Sequence, residues 1–159
     1  MAGVSVDDVL AYARDFERSY VAVVHGRIKL RVKQIVYVAF SGDETTMGFG
    51  FPKHERPALV ASDPERFFMP RQSNMRFHWV ETRLDRLELD EMQEFVLDAW
   101  GMVVPKFLFR ARLQKLGLTE ALDLPKEAYS VPHFRHRVSR VTRQQRPPGN
   151  VAGQGGRTR

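Results

Sequence analysis

The sequence predicts a two-layer α+β domain, an antiparallel sheet with helices packed on one face, and three observations carry the prediction. An amphipathic helical stripe opens the chain, period-two patterning runs through residues 20–51, and a second long helical stripe follows residue 88. The strands come in a run instead of alternating with helices, which argues against a doubly wound nucleotide fold. The expected order is helix, three or four strands, helix, one or two strands, helix.

The first helix is expected over residues 5–18. Ser5 is placed to cap it, Asp8 lies three residues on as in a capping box, and Val4 and Val9 can form the flanking staple. Its apolar stripe is Val6, Val9, Leu10, Ala13 and Phe16, at helical spacing. Strands follow over residues 20–24, 27–32, 34–40 and 45–51, with Gly26 and the Ser41-Gly42-Asp43-Glu44 cluster as turns. A short helix is expected over residues 53–61, ended by Ser62-Asp63-Pro64 because the residue before a proline avoids helical geometry. A loop and a long strand near residues 76–84 come next. The last core helix starts near Glu88 and sets Met92, Phe95, Val96, Ala99, Met102 and Val103 on one face, before Pro105 ends or kinks it. On this reading Glu88, Asp90, Glu91, Glu94 and Asp98 form its wet face, and a further short helix can run through residues 107–116.

Composition narrows the class. At 159 residues with 43% hydrophobic and 28% charged side chains, the chain suits one folded domain. The absence of cysteine excludes disulfide scaffolds, thiolate zinc sites, iron–sulfur clusters and cysteine nucleophiles. The longest apolar run, residues 35–40, is far shorter than the roughly 20 residues of a membrane-spanning helix. With no basic and apolar leader pattern at its start, the chain is expected to be cytoplasmic.

The net charge of +6 is unevenly spread. Residues 1–117 carry 17 basic and 16 acidic side chains, whereas residues 118–159 carry 8 and 3. Two segments are therefore expected: an α+β domain over 1–117 and a basic, largely disordered tail over 118–159, which lacks the apolar residues needed to offset ordering entropy.

The sharpest local feature is Arg27-Ile28-Lys29-Leu30-Arg31-Val32-Lys33, where cations and apolar residues alternate. On a strand, this puts Ile28, Leu30 and Val32 toward the core and Arg27, Lys29, Arg31 and Lys33 on the other face. Like charges about 7 Å apart repel, and an opposing phosphate backbone relieves them. The same pattern also suits a solvated edge strand that wards off pairing, or a stripe neutralised by acidic cross-strand neighbours. A second stretch, Arg71-Gln72-Ser73-Asn74-Met75-Arg76-Phe77-His78-Trp79, mixes cations, amides and aromatics. Arg71 and Arg76 are candidates for phosphate contact, with Phe77 and Trp79 serving either as stacking surfaces or as core filling. In the tail, Arg135, Arg137, Arg140 and Arg143 form a basic arm of the kind that binds nucleic acid without reading sequence.

Catalytic and metal constellations are thin. His54 beside Glu55 is the one neighbouring acid/base pair of the core, and adjacent helical residues diverge by about 100°. Gly48-Phe49-Gly50 sits inside an apolar strand without a following long helix, so it is no phosphate loop. His133 and His136 lack the further ligands a metal site needs. Neither metal nor cofactor is expected, and the chain is read as no enzyme.

Three segments in order resemble the MmcQ/YjbR family of small bacterial proteins. They are Gly26-Arg27-Ile28-Lys29; then Phe49-Gly50-Phe51-Pro52-Lys53-His54-Glu55-Arg56-Pro57-Ala58-Leu59-Val60 with Asp63-Pro64; and Asp98-Ala99-Trp100-Gly101-Met102-Val103-Val104-Pro105-Lys106. The resemblance spans about residues 5–110. It implies a frataxin-like or secretion-chaperone-like α+β arrangement, described as a double-wing DNA-binding-like motif, and a DNA-binding role without catalytic residues. A Trp-Gly-x-Pro segment common in the family before its second strand is missing around residues 21–25. The expected partner is thus DNA or RNA, held mainly by its phosphates with little sequence specificity. The alternative is a protein-interaction or chaperone-like module using the same sheet face.

Overall fold

The computed structural model describes residues 3–118. The order is α1 (Val6–Ala13), β1 (Ser19–Val24), β2 (Arg27–Val32), β3 (Ile35–Phe40), β4 (Thr46–Gly50), α2 (Arg56–Ser62), β5 (Phe67–Phe68), β6 (Trp79–Arg83), α3 (Leu89–Gly101) and α4 (Lys106–Lys115). The strands form one antiparallel sheet in the order β1-β2-β3-β4-β6-β5, the expected two-layer α+β class at the upper strand count and with a fourth helix.

Alternation decides which face is buried. Leu30 and Val32 of β2, Val38 and Phe40 of β3, Met47 and Phe49 of β4 and Val80 of β6 are all buried. Against them lies α3, whose Phe95 ring is 4.8 Å from that of Phe49 and 5.6 Å from that of Phe67. The register between β2 and β3 shifts between Leu30, opposite Val38, and Arg31, opposite Val36. Tyr37 is therefore the extra residue of a β-bulge, which explains why it and Val38 are both fully buried.

Tyr37 accepts or donates a 2.5 Å hydrogen bond with Ser19, while burial pushes its phenol up to about 12. The unfolded chain then loses this proton first. Stability is full below pH 10 and should fall by about 1.4 kcal/mol per pH unit on the way to 12. Alkaline unfolding of the Tyr37→Phe variant should lack this component, and identical pH profiles for the two proteins would refute it.

Three local expectations are corrected. The first helix stops at Ala13, not near residue 18, because the turn after it is claimed by tertiary contacts. Phe16 turns inward to lie 5.0 Å from the Trp100 ring, the Trp100 indole donates to the Glu17 carbonyl at 3.0 Å, and buried Arg112 of α4 donates to the Asp15 carbonyl and the Glu17 carboxylate. The predicted cap is present: Ser5 and Asp8 exchange hydrogen bonds at 2.8 and 3.1 Å. Second, α2 begins at Arg56, since Pro52 to Glu55 form a turn. Third, α3 has no simple acidic wet face. Asp98 is 3% exposed, and Glu91 holds Arg66 through bonds of 2.6 and 3.1 Å.

The basic strand is also repositioned. β2 is paired on both sides, by β1 and β3, so it is no edge strand, and protection of a free edge does not account for its cations. Only Arg27, Lys29 and Arg31 belong to it. Lys33 stands in the turn to β3 with φ of 55°, and its carbonyl accepts from the Tyr20 hydroxyl. The edge on this side of the sheet is β1, where Val21 and Val23 remain 53% and 67% exposed.

Candidate functional site

The face of the sheet turned away from the core is built from the alternate residues of each strand. Register aligns one of these from every strand in a transverse row: Ala22, Lys29, Ala39, Gly48, Glu81 and Phe68. The two central places are taken by the smallest side chains, so the row dips in the middle. Lys29 and Glu81 stand three strand spacings apart, roughly 14 Å. The result is a trough with a floor of Ala39 and Gly48 and a volume of about 880 Å³.

One wall comes from β2, through Arg27 and Lys29. The other comes from residues 71–81, which contribute Arg71, Asn74, Phe77, His78, Trp79 and Glu81. Met102 and Val103, just past the end of α3, also line it. Trp79 is opposite Gly50 and two residues before Glu81, so both side chains share the outer face. Its indole lies over Gly48: a Cβ there would stand 2.5 Å from Nε1 and 2.7 Å from Cε2. The glycine thus gives the ring its seat.

Arg56 holds this wall in place. It is 5% exposed, and its guanidinium donates to the carbonyls of Phe77 at 3.0 Å, Trp79 at 3.1 Å and Met75 at 2.7 Å. Three carbonyls on one rigid fork fix the course of residues 75–77 into the start of β6. Next to it the Lys53 amide donates to His78 Nδ1 at 3.0 Å, which sets the neutral ring with its proton on Nε2. Burial, together with nearby Lys53, His54 and Arg56, holds the His78 imidazole below its ordinary value.

The electrostatics favour anions. The cross-strand neighbours of Arg27, Lys29 and Arg31 are Val24, Ala22, Ala39, Tyr20 and Val36, none of them acidic. Among the described residues no ion pair involves Arg27, Lys29, Arg31 or Lys33. Arg31 Nε is shielded from solvent and makes no hydrogen bond. Among the described residues Glu81 is the one carboxylate lining the trough; its burial pushes it above the ordinary value while Arg71 pulls the other way.

The expected residues therefore divide. Arg27, Lys29 and Arg71 meet on one trough although some 40 residues separate them in sequence. Arg31 shares the outer face but does not line the cavity, Lys33 is in a turn, and Arg76 stacks on Phe77 at 4.7 Å. Arg135, Arg137, Arg140 and Arg143 lie outside the described residues, as do His133 and His136. Phe77, 50% exposed, and half-buried Trp79 line the trough and do not fill the core, which removes the core-filling role their sequence allowed. Gly48, Glu81 and Arg56 had no functional mark in the sequence. The alternation of Trp79 and Glu81 was readable, but which face it served was not. Among the described residues no group of three or more His, Asp or Glu is placed to hold a metal, and no helix is long and apolar enough to cross a membrane.

No family model matches the sequence, and no curated protein matches it. Among solved structures the fold is similar to Deinococcus radiodurans protein DR2400, a DUF419 domain, which lies in the MmcQ/YjbR-like group. The likeness has a TM-score of 0.57 at 18% identity and covers 71% of this chain and 88% of that one, which establishes a shared fold.

Proposed function

We propose that this chain is a member of the MmcQ/YjbR family that binds nucleic acid through the outer face of its sheet, contacting phosphates with Arg27, Lys29, Arg31 and Arg71. One observation carries the reading: among the described residues, cations from two distant segments converge with the rings of Phe77 and Trp79 on a trough that has a single carboxylate. Cations that lack protein partners are best satisfied by phosphate, and ring faces in a cationic groove offer stacking to bases. Among the described residues no helix presents a row of Arg, Asn and Gln of the kind that reads a major groove, so specificity is expected to be weak. The shared fold with the DUF419 structure and the three sequence segments support the family reading. The basic tail adds non-specific affinity.

The salt dependence tests this. Four phosphates neutralised by the domain contribute a log–log slope of roughly −3.6, a loss of about 10² in affinity between 50 and 200 mM salt. In the full chain, replacing Arg27, Lys29 and Arg71 together with alanine should flatten the slope by about 2.7 on a labelled duplex, or about 2.1 on a single strand, measured by fluorescence anisotropy. An unchanged slope would remove the trough from the interface.

A further inference from the structure

A trough that bound only phosphates would gain nothing from a carboxylate on its wall. Glu81 nevertheless faces it, two residues from Trp79 on the same strand face, so the two side chains leave β6 about 7 Å apart. The indole rests on Gly48 and lines the cavity, and its wall is held by the Arg56 fork. A flat ring, a hydrogen-bond acceptor and flanking cations together match the face, the edge and the phosphate of one nucleotide. A base pair offers none of these at once, since its faces are stacked and its Watson–Crick edge is occupied. We infer that the trough takes an unpaired nucleobase carrying an exocyclic amino group, stacked on Trp79, with that amino group donating to Glu81 and the adjoining phosphate on Lys29 or Arg71. This rests on the nucleic-acid reading above and narrows it to single strands. Cytosine, adenine and guanine each offer an exocyclic amino donor; thymine and uracil lack one and carry a carbonyl oxygen where cytosine has its amino group, so they should bind this carboxylate less well. Burial raises the Glu81 carboxyl, but neighbouring Arg71 favours its charged, accepting form.

Single-stranded oligo(dC) and oligo(dT) of equal length test the inference with the full chain, since two pyrimidines stack alike and differ at the amino group. Oligo(dC) should bind about tenfold more tightly, and Glu81→Gln should abolish the preference without weakening oligo(dT). Equal affinities in the unmodified protein overturn the inference while leaving nucleic-acid binding intact; failure to bind either strand overturns the inference alone if a duplex still binds, and both readings if the duplex fails as well. A second readout needs no variant to fold. Of the two tryptophans, Trp100 is fully buried, so fluorescence quenching on adding oligo(dC) reports Trp79. Absence of quenching on binding rules out stacking. Cytidine monophosphate distinguishes the source: quenching by it as strong as that by the strand assigns the site to a free nucleotide, and quenching by the strand alone assigns it to single-stranded nucleic acid.

Discussion

Replacing Arg56 with alanine is expected to destabilise the domain by about 3 to 5 kcal/mol and to release the wall of the trough. Its side chain is 5% exposed and gives donors to three main-chain carbonyls, those of Met75, Phe77 and Trp79. Each part-buried carbonyl stripped of its partner costs up to about 1 to 3 kcal/mol, and the volume vacated by the buried side chain adds to the loss. For a domain of this size that corresponds to a fall in Tm of about 10 °C or more. Lysine retains the charge but cannot reach three carbonyls from one planar group, so Arg56→Lys should recover only part of the stability. Circular dichroism melts of the three proteins make the comparison, and a Tm for the alanine variant within about 2 °C of the parent would show that the fork is not what orders residues 75–79. Trp79 emission should shift to the red in the same variant, as its ring gains solvent.

The second large effect is expected at Gly48, where the sign of the change is diagnostic. Glycine inside a strand ordinarily costs about 0.5 to 1 kcal/mol relative to alanine, so Gly48→Ala would stabilise an unobstructed site. Here the new Cβ would stand 2.5 Å from the Trp79 indole, well inside van der Waals contact. The ring must swing away or the strands must part, at about 1 to 3 kcal/mol. Destabilisation, with loss of affinity for single strands, is therefore expected. A Tm above that of the parent, with binding retained, would mean that Trp79 has another equally good seat and that the floor of the trough is less constrained than its geometry indicates.

Both predictions concern residues that no sequence pattern marked as functional, and the reason is physical. Arg56 was visible only as part of a segment resembling a family, and an arginine at the start of a helix is ordinarily solvated. Its burial follows from α2 packing beside a loop whose carbonyls have no strand partner, an arrangement between residues about 20 positions apart. Gly48 sat in an apolar strand, where a missing Cβ has no meaning until the neighbour across the sheet is known. The basic stripe was legible because alternation on a strand is local, and the structure does put Arg27, Lys29 and Arg31 on the face opposite Leu30 and Val32. Whether that strand lay at an edge was a matter of pairing, and pairing placed it second in the sheet.

The sequence alone determined the class of the fold, the order of its elements, the capping of its first helix and the alternation of its strands, because each of these depends on neighbours within a few residues. The tertiary structure decided the rest: that α1 ends early under the pull of Trp100 and Arg112, that Tyr37 bulges inward, and that Arg27 and Lys29 share a trough with Arg71, Trp79 and Glu81. A binding surface is a property of register and packing between distant segments, and a period-two pattern names the face of a strand without naming what stands across from it.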